Sequence, residues 1–198
     1  MIAIIDYDAG NIRSVEKALL ALGQDVTVTA DRDEILHADK VILPGVGAFG
    51  DAMEKLKQSG LDEVIREVTE KGTPFLGICL GLQLLFEHSD EAPGVEGLGI
   101  LKGEILRIPD KEGYKIPHMG WNSLHLENDG RLFKGIAENS YVHSYYLKAE
   151  EEQIVKASTE YTTHIHASVE KDNIFACQFH PEKSSDVGLK ILKNFVEL

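Results

Sequence analysis

The chain of 198 residues is 43% hydrophobic and carries a formal charge of -13, from 20 Lys+Arg against 33 Asp+Glu. At ~100–200 residues per domain that length holds one domain or two small ones. The apolar fraction excludes disorder, since folding at this size hides on the order of 70% of the unfolded surface. The acidic balance is the opposite of the basic patch that neutralises a phosphate backbone, so neither nucleic acid nor an anionic membrane is expected as a partner.

The first third alternates strand and helix. Ile2 to Ile5 reads as a short strand, cut by Asp6 before it reaches the ~7–15 apolar residues of a signal-peptide core, and no basic segment precedes it. Nowhere do the ~20 apolar residues of a bilayer span occur, and a cytoplasmic protein is expected. Asn11 to Leu22 places Ile12, Val15, Leu19 and Leu22 at helical spacing, with Gly23 as the stop. Val26 to Val28 and Lys40 to Pro44 are the next strands, and helical sequence then runs to about Lys71 with a break near Gly60. Thr73 to Ile78 is a fourth strand, with Leu82, Leu84, Leu85 and Phe86 on a helix behind it. Such alternation specifies a parallel sheet covered by helices on both faces.

Beyond Gly94, Gly97, Gly99 and Gly103 the pattern turns to β-type segments: Ile105 to Ile108, the stretch around Trp121, Tyr141 to Leu147, Gln153 to Ser158 and Thr163 to Glu170. Asp172-Asn173 is a hairpin turn before a strand from Ile174 to His180. These strands extend the sheet or form a small antiparallel subsheet. A last helix carries Val187, Ile191, Leu192, Phe195 and Val196 as an apolar stripe. The expected fold class is α/β, with residues 1–198 as a single domain. Its central, mostly parallel sheet is flanked by helices on both faces and joined by antiparallel strands from the second half.

Three segments can carry chemistry. Gly77-Ile78-Cys79-Leu80-Gly81 stands where a strand meets a helix, and a G-x-C-x-G turn lifts a nucleophile clear of the sheet while its glycines let backbones pass. The following helix points its positive end at the sulfur and favours the thiolate. The plainer reading of Cys79 is a small buried core residue, the commoner fate of a free cysteine. The second segment is His180-Pro181-Glu182 at the end of a strand. A period of two puts His180 and Glu182 on one side if the extended geometry persists, and a histidine that deprotonates a thiol needs a carboxylate to hold its tautomer. The third is Pro44-Gly45-Val46-Gly47-Ala48-Phe49-Gly50, which contains G-x-G-x-x-G. It follows the third strand rather than the first, and Glu67 and Glu70 beyond it lie in a helix, where neither can hold a ribose. The better reading is a glycine loop whose Val46 or Gly47 amide joins that of Leu80 in an oxyanion hole.

Other candidates are weaker. His164 and His166 alternate on a strand without supporting metal ligands and read as exposed residues. Cys177 shares a face with Phe175 and Phe179, an inert core setting. Two cysteines without a CxxC pair make no disulfide scaffold.

GICLGLQ, the later HPE and the upstream PGVG loop, in this order on an α/β pattern, resemble the class I (triad) glutamine amidotransferases. More narrowly, DYDAGNIRSV, PGVGAFGDAM, PHMGWN, YVHSYY and FHPEKSS are similar to the glutaminase subunits of imidazole glycerol phosphate synthases, over essentially the whole chain. The resemblance implies that Cys79 attacks the carboxamide of glutamine, that His180 serves as base and then as acid, and that Glu182 orients His180. It implies Val46 and Leu80 as oxyanion donors and Gly47, Gln83, Glu91, His143, Ser144 and Tyr145 as the glutamine site, with Glu91 on the α-ammonium. It further implies no metal and no cofactor, and an obligate heterodimer with a barrel-shaped cyclase subunit that receives the ammonia, docked through Asn11, Met119, Trp121 and Lys183. An amide of the PGVG loop that must rotate to complete the oxyanion hole would keep the lone subunit slow.

Two other assignments stay open at this point. The chain could serve another synthase, making pyridoxal phosphate or anthranilate, or it could be a cysteine hydrolase of similar fold. A purely structural subunit is the non-enzyme alternative.

Overall fold

The computed structural model describes residues 1–8, 11–109, 120–122, 124–136, 140–142, 145–160 and 162–198, with 120–122, 140–142, 145 and 146 described by their backbone alone. The chain starts with β1 (Ile2–Ile5), α1 (Ile12–Ala21), β2 (Val26–Thr29), α2 (Arg32–Leu36) and β3 (Lys40–Gly45). It continues through α3 (Phe49–Ser59) and α4 (Leu61–Glu70) into β4 (Phe75–Cys79) and α5 (Leu80–Leu84). β1 is buried along its whole length because it lies between two parallel neighbours, β2 and β3. A strand covered on both faces reads as a continuous apolar run, and this one does.

The second half supplies β5 (His88–Ser89), β6 (Gly103–Arg107), β7 (Gly120–Asn122), β8 (His125–Leu126), β9 (Ser140–Val142), β10 (Tyr145–Ala149), β11 (Val155–Glu160), β12 (His164–Lys171) and β13 (Ile174–Cys177), then α6 (Ser185–Val196). The main sheet runs β2-β1-β3-β4-β13-β12-β10-β6-β5, with β11 and β8 paired beside β12. From β2 to β13 it is parallel; β12, β10 and β6 then join antiparallel. β7 and β9 form a separate antiparallel pair. Both arrangements expected of the second half therefore occur.

The two faces of the sheet bury separate apolar clusters. On one side Met53 and Leu56 of α3, Val64, Ile65 and Val68 of α4, and Leu82 of α5 pack with Ile35 of α2. On the other, Val15 and Leu19 of α1 meet Ile191, Leu192 and Phe195 of α6. At about 25 cal/mol per Å² of apolar surface, burial of this kind is the main favourable term in folding.

Several elements differ from the expectation. The short α2 is additional: the Asp31 side chain accepts the Glu34 N–H at 3.0 Å and caps it, a cap that Asp31 and Glu34 carry in the sequence. The helix after Cys79 is only Leu80–Leu84, and Leu85 and Phe86 lie beyond it in the core. The last strand stops at Cys177 rather than at His180, with a bend at Gln178 and Phe179. Gly60, at φ 71°, separates α3 from α4 where a break was expected, and Asp172, at φ 54°, makes the hairpin turn. Among the described residues no helix is long and apolar enough to cross a membrane.

Two glycines hold the ends of this framework together. A Cβ on Gly81 would stand 1.9 Å from the Leu43 carbonyl oxygen, so only glycine lets α5 cross so close to β3. A Cβ on Gly188 would stand 1.8 Å from the Pro181 carbonyl oxygen, which lets α6 press against the turn after His180. The atoms in the way are backbone and cannot rotate aside. Gly81→Ala and Gly188→Ala are each expected to cost about 1–3 kcal/mol through overpacking, measured by urea denaturation.

Candidate active site

Cys79 ends β4 at φ 57° and ψ -109°, a conformation that costs a non-glycine residue of order 1–3 kcal/mol and persists only where its surroundings over-determine it. Those surroundings are backbone. Gly77 lies under the first turn of α5, where a Cβ would meet the Gly81 carbonyl oxygen at 2.8 Å, and Gly81 lies against Leu43. The result is a sharp strand-to-helix elbow with Cys79 at its tip, 8% exposed. The helix behind the sulfur is little more than one turn, so its dipole is smaller than the expected one.

The partner groups arrive on β13, which pairs in parallel with β4. His180 follows it, and Nδ1 of its ring lies 2.7 Å from Glu182 Oε1. The route differs from the expected strand alternation. Pro181–Lys183 is a 3-10 turn, closed by the Lys183 N–H on the His180 carbonyl at 3.0 Å and by the Ser184 hydroxyl on the same oxygen at 2.7 Å. The turn folds the carboxylate back beneath the ring. With Nδ1–H donated to Glu182, Nε2 is left for Cys79, to which His180 is also hydrogen-bonded. The Glu182 side chain is fully buried, and its Oε2 has no hydrogen-bond partner among the described residues.

Burial works against the imidazolium, but hydrogen bonds to Cys79 and Glu182 and their negative charge outweigh it and push His180 up from 6.5 to about 9. Contact with the sulfur and the carboxylate thus favours the protonated ring. Asn11 is part of the same cluster: its Nδ2 donates to Glu182 Oε1 at 2.5 Å and lies 3.4 Å from His180 Nδ1. Although it occupies the N-cap position of α1, its side chain makes no cap.

The glycine loop lies beside this group. Gly45 closes β3 opposite Cys79 in the parallel register. A Cβ there would meet the Tyr7 hydroxyl at 2.4 Å and Leu80 Cβ at 2.9 Å, so the start of the loop is pinned. Gly47 stands at φ 110°, with open space where a Cβ would lie, and Val46 is 38% exposed. Tyr7 donates its hydroxyl to the Pro44 carbonyl at 3.0 Å; burial, and then the charge of Cys79, hold its phenol above the ordinary tyrosine range. Nothing in the periodicity singled out Tyr7. Glu91 reaches the other end of the loop, where its Oε2 accepts the Phe49 N–H at 2.9 Å and caps α3 in place of Ala48.

The structure thus brings together Cys79, His180, Glu182 and Asn11, with Gln83 linked to Cys79 through Gln178, Leu80 beside Gly45 at the head of the glycine loop, Val46 and Gly47 next along that loop, and Lys183 exposed on the His180 turn. Met119, His143 and Ser144 lie outside the described residues, and Trp121 and Tyr145 are placed by backbone alone, in β7 and β10. Cys177 is fully buried, and burial pushes its thiol up to about 12, as its core setting requires. His164 is exposed as expected. His166 is half-buried instead: Nδ1 accepts the Ala149 N–H at 3.1 Å, and burial followed by the neighbouring His164 lowers its affinity for a proton. Among the described residues no group of His, Cys, Asp or Glu is arranged to hold a metal ion.

Residues 3–198 match the family model of the class-I glutamine amidotransferases. The chain is 54% identical over 201 residues to the imidazole glycerol phosphate synthase subunit HisH of Caldanaerobacter subterraneus subsp. tengcongensis, covering 100% of this chain and 98% of that one. It is 52% identical to the HisH subunit of Methanocaldococcus jannaschii, with 100% of both chains covered. Among solved structures, PurLQS from Thermotoga maritima superposes with a TM-score of 0.75 at 21% identity, over 99% of this chain and 97% of that one; at such identity the likeness is one of fold.

Because His180 keeps its proton to about 9 in the fold, against 6.5 for an unperturbed imidazole, it contributes stability that is fully present below 6.5 and lost as the pH rises through about 9. An NMR titration of the ring nitrogens is expected to show this raised midpoint. Glu182→Gln is expected to move it to lower pH, since the variant removes both the charge and the carboxylate acceptor.

Proposed function

We propose that this chain, which belongs to the class-I glutamine amidotransferases, is the glutaminase subunit of an imidazole glycerol phosphate synthase and works as one domain through a Cys79/His180/Glu182 triad. The observation that carries the reading is the elbow cysteine hydrogen-bonded to a histidine whose other ring nitrogen is held by a buried carboxylate. Thiolate attack needs this arrangement and core packing does not. The end-to-end identity with HisH subunits supports the narrower assignment.

The steps follow from the geometry. The Cys79 sulfur attacks the side-chain carbonyl carbon of glutamine, and the carbonyl oxygen takes the negative charge toward the Leu80 and Val46 amides. His180 gives its proton to the nitrogen, the C–N bond breaks, and ammonia leaves a thioester on Cys79. Neutral His180 then takes a proton from water, the hydroxide adds to the thioester, and collapse expels the thiolate and releases glutamate. Glu182 holds the ring in one tautomer and stabilises each imidazolium. Gly47, Gln83, Glu91, His143, Ser144 and Tyr145 hold the glutamine.

Ammonia passes to a barrel-shaped cyclase subunit, which forms imidazole glycerol phosphate and aminoimidazole carboxamide ribotide in histidine biosynthesis, in the cytoplasm. Asn11, Met119, Trp121 and Lys183 form the docking surface. Asn11 reaches Glu182 directly and Lys183 follows it in the chain, so a partner that engages either touches the triad through a single residue. An oxyanion amide turned away in the lone chain would cost about 3–4 kcal/mol, enough for a few hundredfold suppression.

Glutamate release by the chain alone, with the cyclase, and with cyclase plus its substrate tests this reading. The rate is expected to rise in that order, and Cys79→Ala is expected to lower it by at least about a thousandfold in every condition. Equal rates with and without the liganded cyclase would remove the coupling, and no glutamate release in any condition would remove the function.

A further inference from the structure

Gln178 is fully buried and polar, and no step above uses it. A carboxamide in that position must be hydrogen-bonded, because an unpaired one keeps the full cost of its lost hydration. Its main-chain N–H donates to the Ala167 carbonyl of β12 at 2.9 Å, which fixes its level in the sheet. The last rung of β13 pairs Cys177 with Ile78, so the next residue, Gln178, stands level with Cys79. Among the described residues its side chain makes two hydrogen bonds. Oε1 accepts from Gln83 Nε2 of α5 at 3.2 Å, and Nε2 points at the Cys79 sulfur from 3.9 Å.

The order of these contacts matters. Because Gln83 occupies the carboxamide oxygen, the donor end of Gln178 faces the sulfur. A thiolate 8% exposed has few waters to hold it. His180 supplies one donor and Gln178, two residues before it in the chain, a second. Two donors fix both the charge and the direction of the sulfur, whereas one would let it swing about χ1 with the ring.

We propose that Gln178 is a positioning residue for the nucleophile: its Nε2–H holds the Cys79 sulfur in its attacking form, and Gln83 keeps that donor turned toward it. This rests on the reading of Cys79 as the nucleophile, but it concerns the sulfur itself and is testable without glutamine.

The test compares Gln178→Met, which fills the space without a donor, with Gln178→Glu, which keeps an acceptor for Gln83 but sets an oxygen against the sulfur. The readouts are the rate of Cys79 alkylation by iodoacetamide across pH, located by mass spectrometry, and kcat and KM for glutamine with the liganded cyclase. His180, Glu182 and Tyr7, the titratable groups around the sulfur among the described residues, are unchanged in both variants. Both profiles are expected to move to higher pH, Glu further than Met, with kcat lower by about tenfold, the worth of one hydrogen bond, and KM within about twofold by the same measure. A folded Gln178→Met with an unchanged profile overturns the proposal. So does rescue by Gln178→Glu, which would make the Gln83 contact the whole role. Should either variant fail to fold, the wild-type chain decides: the Gln178 side-chain amide protons are expected to shift on alkylation of Cys79, and no shift overturns the proposal. A shifted alkylation profile in a chain that releases no glutamate under any condition would sustain the role of Gln178 and remove the glutaminase reading.

Discussion

The rest of the site depends on how closely β3 and the first turn of α5 approach. With the Leu43 carbonyl against Gly81, and Gly81 in turn over Gly77, there is room for only one path from β4 into the helix, and that path drives Cys79 to φ 57°. Strain of this kind lasts only where packing outweighs it. Here it is offset by two apolar clusters that grip the parallel strands from opposite faces. Cys79 is therefore held by backbone contacts that no side-chain rotation can relax.

The second half of the site reaches the first through one parallel pairing. β13 lies beside β4 although almost a hundred residues separate them in the chain, so the carboxyl ends of both strands open onto the same side. Chemistry in open α/β sheets collects at such ends. The turn after His180 is then fixed from behind by Gly188 of α6 and from within by Ser184, and these contacts keep Glu182 under the ring. Stability and reactivity share the same contacts: the group that holds a proton to about 9 does so because Cys79 and Glu182 are hydrogen-bonded to it.

Asn11 and Tyr7 tie the triad to parts of the chain that lie far from it in sequence. Asn11 gives up the usual capping bond of its helix to donate to Glu182. Tyr7 anchors the Pro44 carbonyl, at the start of the loop that continues through Gly47. Glu91, by capping α3, sets where that loop ends.

The sequence by itself determined the alternating elements, the elbow cysteine, the histidine and the carboxylate, because apolar periodicity and glycine spacing are local properties that each segment carries alone. The strand ends were less legible. β13 stops at Cys177 and not at His180, since the 3-10 turn is made by Ser184, Gly188 and the face of α6, none of which belongs to the strand. The roles of Tyr7, Gln178 and Gly188, and the hydrogen bond from Asn11 to Glu182, were decided by the tertiary structure alone. Tyr7, Gln178 and Asn11 each contact residues many positions away, and only the order β1-β3-β4-β13 and the packing of α1 and α6 on one face bring those partners within reach.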